Sequence, residues 1–341
     1  MATLSFERLW RKPPSERNTR PLTIGLVNNM PDAALKSTER QFRELLDSAA
    51  TNIPAHLRFF SLSEVPRSAA GKAYVDAHHE PIENLWTGEF DGLIVTGNAP
   101  HAARLQDEPY WPALAQLVDW ANAHTISTVW SCLAAQAAVL RLDGIERRPL
   151  ARKLSGVFVC FRCAVHPLVG FGPGRWQVPH SRYNSLPERA LVARGYRILA
   201  WSDAAGADLF VKRRHSLFVF LQGHPEYDAG ALLREYHRDV QCFLAGDGKR
   251  YPELPAGYLD AGAEDAMHRF AERALANRDM ALMDEFPMAI AQRELHAPWH
   301  DAAVRLYANW LFYLGHERGR QLGPADTAIA VPTDAVRPTY A

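Results

Sequence analysis

The chain has 341 residues, 48% of them hydrophobic and 22% charged, enough for a sizeable core and consistent with one main domain carrying elaborations. Thirty-eight basic and thirty-eight acidic residues cancel, so no global field draws it to nucleic acid or an anionic membrane, and any anionic ligand must be met by local cations. No apolar run of signal-peptide or membrane-span length occurs, and the four cysteines are too irregularly spaced for a disulfide framework; a cytoplasmic protein is expected.

Residues 1–20 are polar and read as a flexible N-terminal arm, 21–320 as the folded domain, and 321–341, rich in Pro, Ala and Thr, as a C-terminal tail. Residues 22–28 form an apolar strand, followed by a loop and a helix over 37–48 whose Phe42, Leu45 and Leu46 share a face. Strands at 57–62 and 90–97, with helices near 82–85 and over 111–123, continue the alternation. A β-rich stretch from Thr125 runs through Ser131 into an alanine-rich helix just after Cys132. Strands near 156–164, 197–202 and 208–213 add an antiparallel component, 216–223 is a further core strand, and a helix follows over 227–244. From 245 to 300 the sequence is irregular and charged, a divergent insertion around a helix at 264–276, and an aromatic-rich helix over 302–314 closes the fold. Strands alternating with helices predict a doubly wound, mostly parallel α/β sheet with a helical C-terminal elaboration. Ligands of such sheets sit beyond the carboxyl ends of the strands, where the loops after Asn28, Thr96, Ser131 and Gln222 open together.

One of those loops carries Cys132 at a strand-to-helix junction. A sharp turn there projects a side chain clear of the sheet, and the helix N-terminus offers free N–H groups and a dipole that favours a thiolate. Ala134, Ala135, Ala137 and Ala138 let the helix pack close to its strand. A free cysteine is usually only a small buried hydrophobe, so the reading needs a second half. It comes at the end of the 216–223 strand as His224-Pro225-Glu226, a base with a carboxylate two positions on that can fix its tautomer and stabilise the imidazolium. Cys132, His224 and Glu226 are the candidate catalytic triad. Cys160-x-x-Cys163 lies in an alternating strand with no second pair to complete a zinc site and reads as structural, so no metal is expected. No dinucleotide glycine fingerprint or phosphate-binding loop follows any strand, and no bound cofactor is expected.

Several segments in order then resemble one family: Asn28-Asn29-Met30-Pro31, Asp91-Gly-Leu-Ile-Val-Thr-Gly97, Tyr110-Trp111, Ser131-Cys-Leu-Ala-Ala-Gln136, Lys153-Leu-Ser-Gly-Val-Phe158, Pro179-His-Ser-Arg182, Gly223-His-Pro-Glu-Tyr-Asp228 and Arg238-Asp239. Together they resemble the homoserine O-succinyltransferase/O-acetyltransferase family over about residues 22–244, with an echo at Asn309-Trp310-Leu311. The resemblance implies a class I glutamine amidotransferase-like fold and transfer of an acyl group from acyl-CoA to homoserine in methionine biosynthesis. It implies Cys132 as the thioester-forming nucleophile, His224 as the general base and Glu226 as its partner, with Lys153, Ser181 and Arg238 as substrate contacts and a homodimer as the assembly. The backbone N–H of Leu133 becomes the candidate oxyanion donor.

The chain departs from that pattern in places. Leu133 stands where the family commonly has Trp, and Lys36 stands in a loop two residues longer than the family's, where it is a candidate for the family's loop lysine. After Gly97, the position at which acetyl-using members tend to carry Glu and succinyl-using members Gly falls on His101 or, with a one-residue shift, Ala102. Neither repels a second carboxylate, which favours succinyl-CoA as the donor. Alternatives are a class I glutamine amidotransferase, an acyltransferase acting on another hydroxyl amino acid such as serine, and a binding protein on a retired scaffold. The small-molecule substrates, with neither nucleic acid nor membrane, are the expected partners.

Overall fold

The computed structural model describes residues 20–51, 53–100, 102–170 and 172–322, so most of the expected arm, most of the tail and His101 lie outside the described residues. In chain order the elements are β1 (Leu22–Val27), α1 (Leu35–Ala49), β2 (Ala55–Phe60), α2 (Ala69–His78), α3 (Glu83–Thr87), β3 (Gly92–Val95), α4 (Trp111–His124), β4 (Ser127–Ser131) and α5 (Leu133–Asp143). They continue as β5 (Arg148–Arg162), β6 (Arg175–Ser185), α6 (Glu188–Ala193), β7 (Arg197–Ser202), β8 (Gly206–Arg213), β9 (Leu217–Leu221), α7 (Ala231–Ala245), α8 (Ala261–Ala276) and α9 (His300–Leu322).

A single nine-stranded sheet runs in the order β2-β1-β3-β4-β9-β8-β7-β5-β6. The pairs from β2 to β9 are parallel, and those from β9 to β6 antiparallel. The expected doubly wound parallel sheet is therefore present, and the antiparallel component is a four-strand extension of it. β3, β4 and β9 are buried along their whole length, as their unbroken apolar or small-residue runs require of strands covered on both faces. One face packs Trp130, Phe218 and Phe220 under α4 and α5. The other packs Ile24, Ile94 and Val219 under α1 and α9, where Phe42 meets Tyr307 edge to face at 6.3 Å. Each large side chain buried this way contributes about 1.5–3 kcal/mol before entropy is charged against it.

Two elements absent from the sequence expectation were hidden for identifiable reasons. The α2 helix was not anticipated, because only Gly71 in it is buried and so no apolar stripe betrays it; the Ser68 side chain caps it by accepting the Gly71 N–H at 3.1 Å. The β6 strand was hidden by Pro179, which cannot donate to a ladder but is tolerated on the outermost strand of the sheet. The closing helix is longer than expected, running to Leu322.

The 245–300 segment packs on the domain through α8, whose Met267 and Phe270 meet Val240 and Phe243 of α7 and Phe286. It also crosses β5 at Gly156, where Val157 N–H donates to Ala256 O at 2.8 Å. Gly156 has φ 147°, and a Cβ there would lie 2.4 Å from Ala256 O, so only glycine admits this crossing. Further along, Trp299 Nε1 donates to Tyr227 O at 2.8 Å. The segment is thus a brace behind the end of β9, the part of the sheet from which His224 projects.

Candidate active site

Cys132 caps α5 with φ 49° and ψ −110°, and it has the one positive φ among the described non-glycine residues. Its N–H continues the β4–β9 ladder by donating to Leu221 O at 2.7 Å, while its C=O accepts the first helical bond from Gln136 at 3.2 Å. The residue is held between strand and helix by bonds on both sides, which is how a conformation costing about 1–3 kcal/mol persists. Ala134, Ala135, Ala137 and Ala138 are fully buried and let α5 press against the sheet. Leu133 and Ala134 present their N–H groups at this helix start, and Gly97, at the end of β3, lies over them. A Cβ at Gly97 would sit 3.1 Å from Leu133 N and 3.3 Å from Ala134 N, filling the space in which an oxyanion would accept from these donors. Gly97→Ala is accordingly expected to lower kcat about 10²-fold and, because the same Cβ would lie 2.8 Å from Leu133 Cβ, to lower Tm as well, measured by steady-state kinetics and thermal unfolding.

His224 and Glu226 follow β9 in a tight turn. His224 Nδ1 and Glu226 Oε1 are 2.8 Å apart, and Ser131 Oγ donates to the same oxygen at 3.4 Å. This fixes the Nδ1 side on the carboxylate and leaves Nε2 for Cys132, which is within hydrogen-bond reach of the imidazole. Tyr227 stacks on the ring at 4.3 Å. Burial would lower the His224 pKa, but the negative charges of Glu226 and Cys132 outweigh it and hold the imidazole well above its ordinary value. The structure brings the three predicted residues together at the ends of β4 and β9.

Lys153, Ser181 and Arg238 converge on a pair of carboxylates beside this turn. Lys153 Nζ is 2.6 Å from Asp239 and 3.4 Å from Glu235, Ser181 Oγ donates to Glu235, and Arg238 donates to Asp239 at 3.1 Å. Tyr227 donates its hydroxyl to the other Glu235 oxygen at 2.5 Å. For Lys153, burial is outweighed by the two carboxylates, which keep its pKa above the usual range; for Glu235, burial is outweighed first by Lys153, which keeps it below. Both directions describe one charged pair. Glu235 was missed from sequence. The available signal was its i,i+3 spacing from Arg238 on the 227–244 helix, which puts both on one face.

His101 lies outside the described residues, and Ala102 donates its N–H to Glu108 at 2.6 Å. A carboxylate therefore stands beside this loop, where the local sequence at His101 and Ala102 carries no negative charge. It is matched by Arg147, also missed, whose guanidinium reaches Ala103 O at 3.5 Å and interacts with the charges of Glu108 and Cys132. Lys36 lies over the Tyr74 ring at 4.9 Å, on the first turn of α1. Among the described residues, one group could supply metal donors: Cys160, His180 and Asp208, with donor atoms within 4.8 Å of one another.

A sequence profile of the homoserine O-succinyltransferase family matches residues 9–319. The homoserine O-succinyltransferase of Methylorubrum extorquens is 48% identical over 302 residues, spanning 89% of this chain and 88% of that protein. That of Rhodopseudomonas palustris is 45% identical over 317 residues, 93% of this chain and 95% of that one, and that of Thiothrix nivea 38% identical over 298 residues, 87% and 83%. Among solved structures, a glutamine amido transferase from Methylobacillus flagellatus aligns over 88% of this chain and 94% of its own, with 16% identity and a TM-score of 0.48.

Proposed function

The chain belongs to the homoserine O-succinyltransferase family, and from that premise we propose that it moves a succinyl group from succinyl-CoA to the hydroxyl of L-homoserine through a thioester on Cys132, a step of methionine biosynthesis. The observation that carries the mechanism is the strained Cys132 at the N-terminus of α5 within reach of a His224 held by Glu226.

In the first half-reaction the sulfur of Cys132, whose proton already rests on His224, attacks the succinyl-CoA carbonyl. The Leu133 N–H, with Ala134 beside it, meets the oxyanion in the space left by Gly97. The C–S bond to coenzyme A breaks, and the departing thiolate takes the proton from His224. In the second half-reaction His224 accepts the homoserine hydroxyl proton as that oxygen attacks the Cys132 thioester. Collapse releases O-succinylhomoserine, and Cys132 leaves as a thiolate paired with the imidazolium, which restores the starting pair.

Lys153 and Arg238 hold the acceptor carboxylate, with Ser181 lining the site and Glu235 and Asp239 positioning the cations. At the donor end Arg147 faces the loop at Ala102–Ala103 and offers a counter-charge to the distal carboxylate of succinate, and His101 belongs to the same loop in sequence. Lys36 is kept as an accessory cation near α1. The co-substrate is acyl-CoA, with no bound cofactor or metal in the acyl-transfer steps. We place the enzyme in the cytoplasm as a homodimer; exposed Val159 and Phe161 on β5, beside the edge strand, support a self-association surface.

The test is intact-protein mass spectrometry after incubation with succinyl-CoA or acetyl-CoA in the absence of acceptor. A succinyl adduct, absent from Cys132→Ala and discharged by homoserine but not by serine, is the expected result. An acetyl adduct alone would overturn the donor assignment, discharge by serine the acceptor assignment, and ammonia release from glutamine with no adduct the reaction class.

A further inference from the structure

We propose that Asp208, on the strand behind the catalytic turn, is a positioning residue that fixes the backbone before His224 and supplies a second negative charge to its imidazolium. The proposal rests on the assignment of Cys132 and His224 as the reacting pair.

Asp208 lies on β8, next to β9. Its Oδ1 accepts the N–H of Gly223, the residue before the base, at 3.0 Å, and its backbone C=O accepts Gln222 N–H at 2.9 Å. On the other side, His224 N–H donates to Pro179 O of β6 at 2.8 Å, and His180 Nε2 of the same strand stands 3.3 Å from Asp208 Oδ1. The turn is thereby clamped between β8 and β6. Gly223 has no space for a side chain: a Cβ would meet Val178 Cγ1 at 2.5 Å, Asp208 Oδ1 at 2.7 Å and His180 Nε2 at 2.9 Å.

Holding Gly223 requires an acceptor but no charge, and an asparagine would supply it. A buried carboxylate is costly unless something uses its charge. The titratable and charged groups facing it are Cys160 of β5, His180 and Arg182 of β6, and His224 and Glu226 of the turn. Cys160 is a thiol that burial pushes upward, and His180 is held neutral by burial and by Arg182, so neither balances the carboxylate as a cation. Arg182 is a standing cation that donates to Asn184 O, Ala205 O and His180 Nδ1, and its charge favours the Asp208 carboxylate more than that of His224 does, without changing during the reaction. The group whose charge changes during the reaction is His224. When Cys132 passes its proton to the imidazole, Glu226 stabilises the new charge through Nδ1 and Asp208 from behind, across a medium that screens little.

The experiment uses the full chain and the Asp208→Asn variant, which keeps the acceptor and removes the charge. The rate of Cys132 alkylation by iodoacetamide is followed against pH on the Cys132 peptide, because Cys163 and Cys242 are more exposed than the half-buried Cys132. The expected result is a fall of about one unit in the pH at which the imidazolium of the pair loses its proton, seen as the alkaline step of the profile, with kcat for acyl transfer reduced about tenfold and KM unchanged. A folded Asp208→Asn protein with the parent alkylation profile would overturn the proposal. So would a stoichiometric zinc ion in the purified protein that disappears in Cys160→Ser, since Asp208 would then be a metal ligand. If Asp208→Asn does not fold, Gly223→Ala, which pushes the turn off the carboxylate, should give the same downward shift, and its absence would be equally fatal. Alkylation needs neither acyl-CoA nor homoserine, so a shifted profile in a protein that transfers no acyl group would sink the acyl-transfer assignment and leave this one standing.

Discussion

Cys132→Ala and Cys132→Gly are both expected to lose acyl transfer by about 10⁴-fold or more, and the glycine variant is expected to be the more stable of the two. The activity loss follows from removing the atom that carries the acyl group. The stability difference follows from the backbone. At φ 49° any Cβ is crowded, whereas glycine occupies that region freely. Against this, glycine gains more freedom in the unfolded chain, worth about 0.5–1 kcal/mol in the opposite direction. The strain of about 1–3 kcal/mol outweighs it, so Cys132→Gly should melt a few degrees above Cys132→Ala. Steady-state turnover and thermal unfolding of the two purified variants read both effects. Turnover above a few per cent of the parent in either variant would remove the thioester from the mechanism. A glycine variant that melts below the alanine one would mean that the turn is not strained.

That turn shows what could be read in advance. Its position was legible because β-branched residues give way at once to an alanine run, and the His224-Pro225-Glu226 spacing was legible because both side chains of the base pair lie within one turn. The central strands announced themselves through runs such as Leu217–Leu221, which is apolar at every position and buried at every position. What stayed hidden has a common physical cause: contacts made by chain segments far apart in sequence. Nothing in the spacing of Glu235, Lys153 and Ser181 says that three separate elements will meet at one carboxylate. Asp208 opens a strand expected to add to the antiparallel component, and only the sheet order puts it behind Gly223. The α2 helix failed to show for the opposite reason. It is stabilised locally by its cap, with almost nothing buried to leave a periodic trace.

Glu226→Gln should leave the fold and KM nearly intact while lowering kcat about 10²- to 10⁴-fold, because glutamine fills the same space without the charge. The loss should be accompanied by a fall in the His224 pKa, since Glu226 is the larger of the two charges that raise it against burial. The same couple contributes to folding stability with a definite sign. His224 binds a proton more tightly in the folded protein than at its ordinary value of 6.5, so the contribution is complete below that value and is lost as pH rises through the higher folded value. The difference in Tm between parent and Glu226→Gln should therefore be largest below the ordinary imidazole value of 6.5 and shrink as the pH rises above it. Thermal unfolding of both proteins on either side of that value measures it. A gap that widens with pH would mean that Glu226 faces a neutral imidazole in the resting enzyme, and that the proton needed by the departing coenzyme A must come to His224 from Cys132 alone.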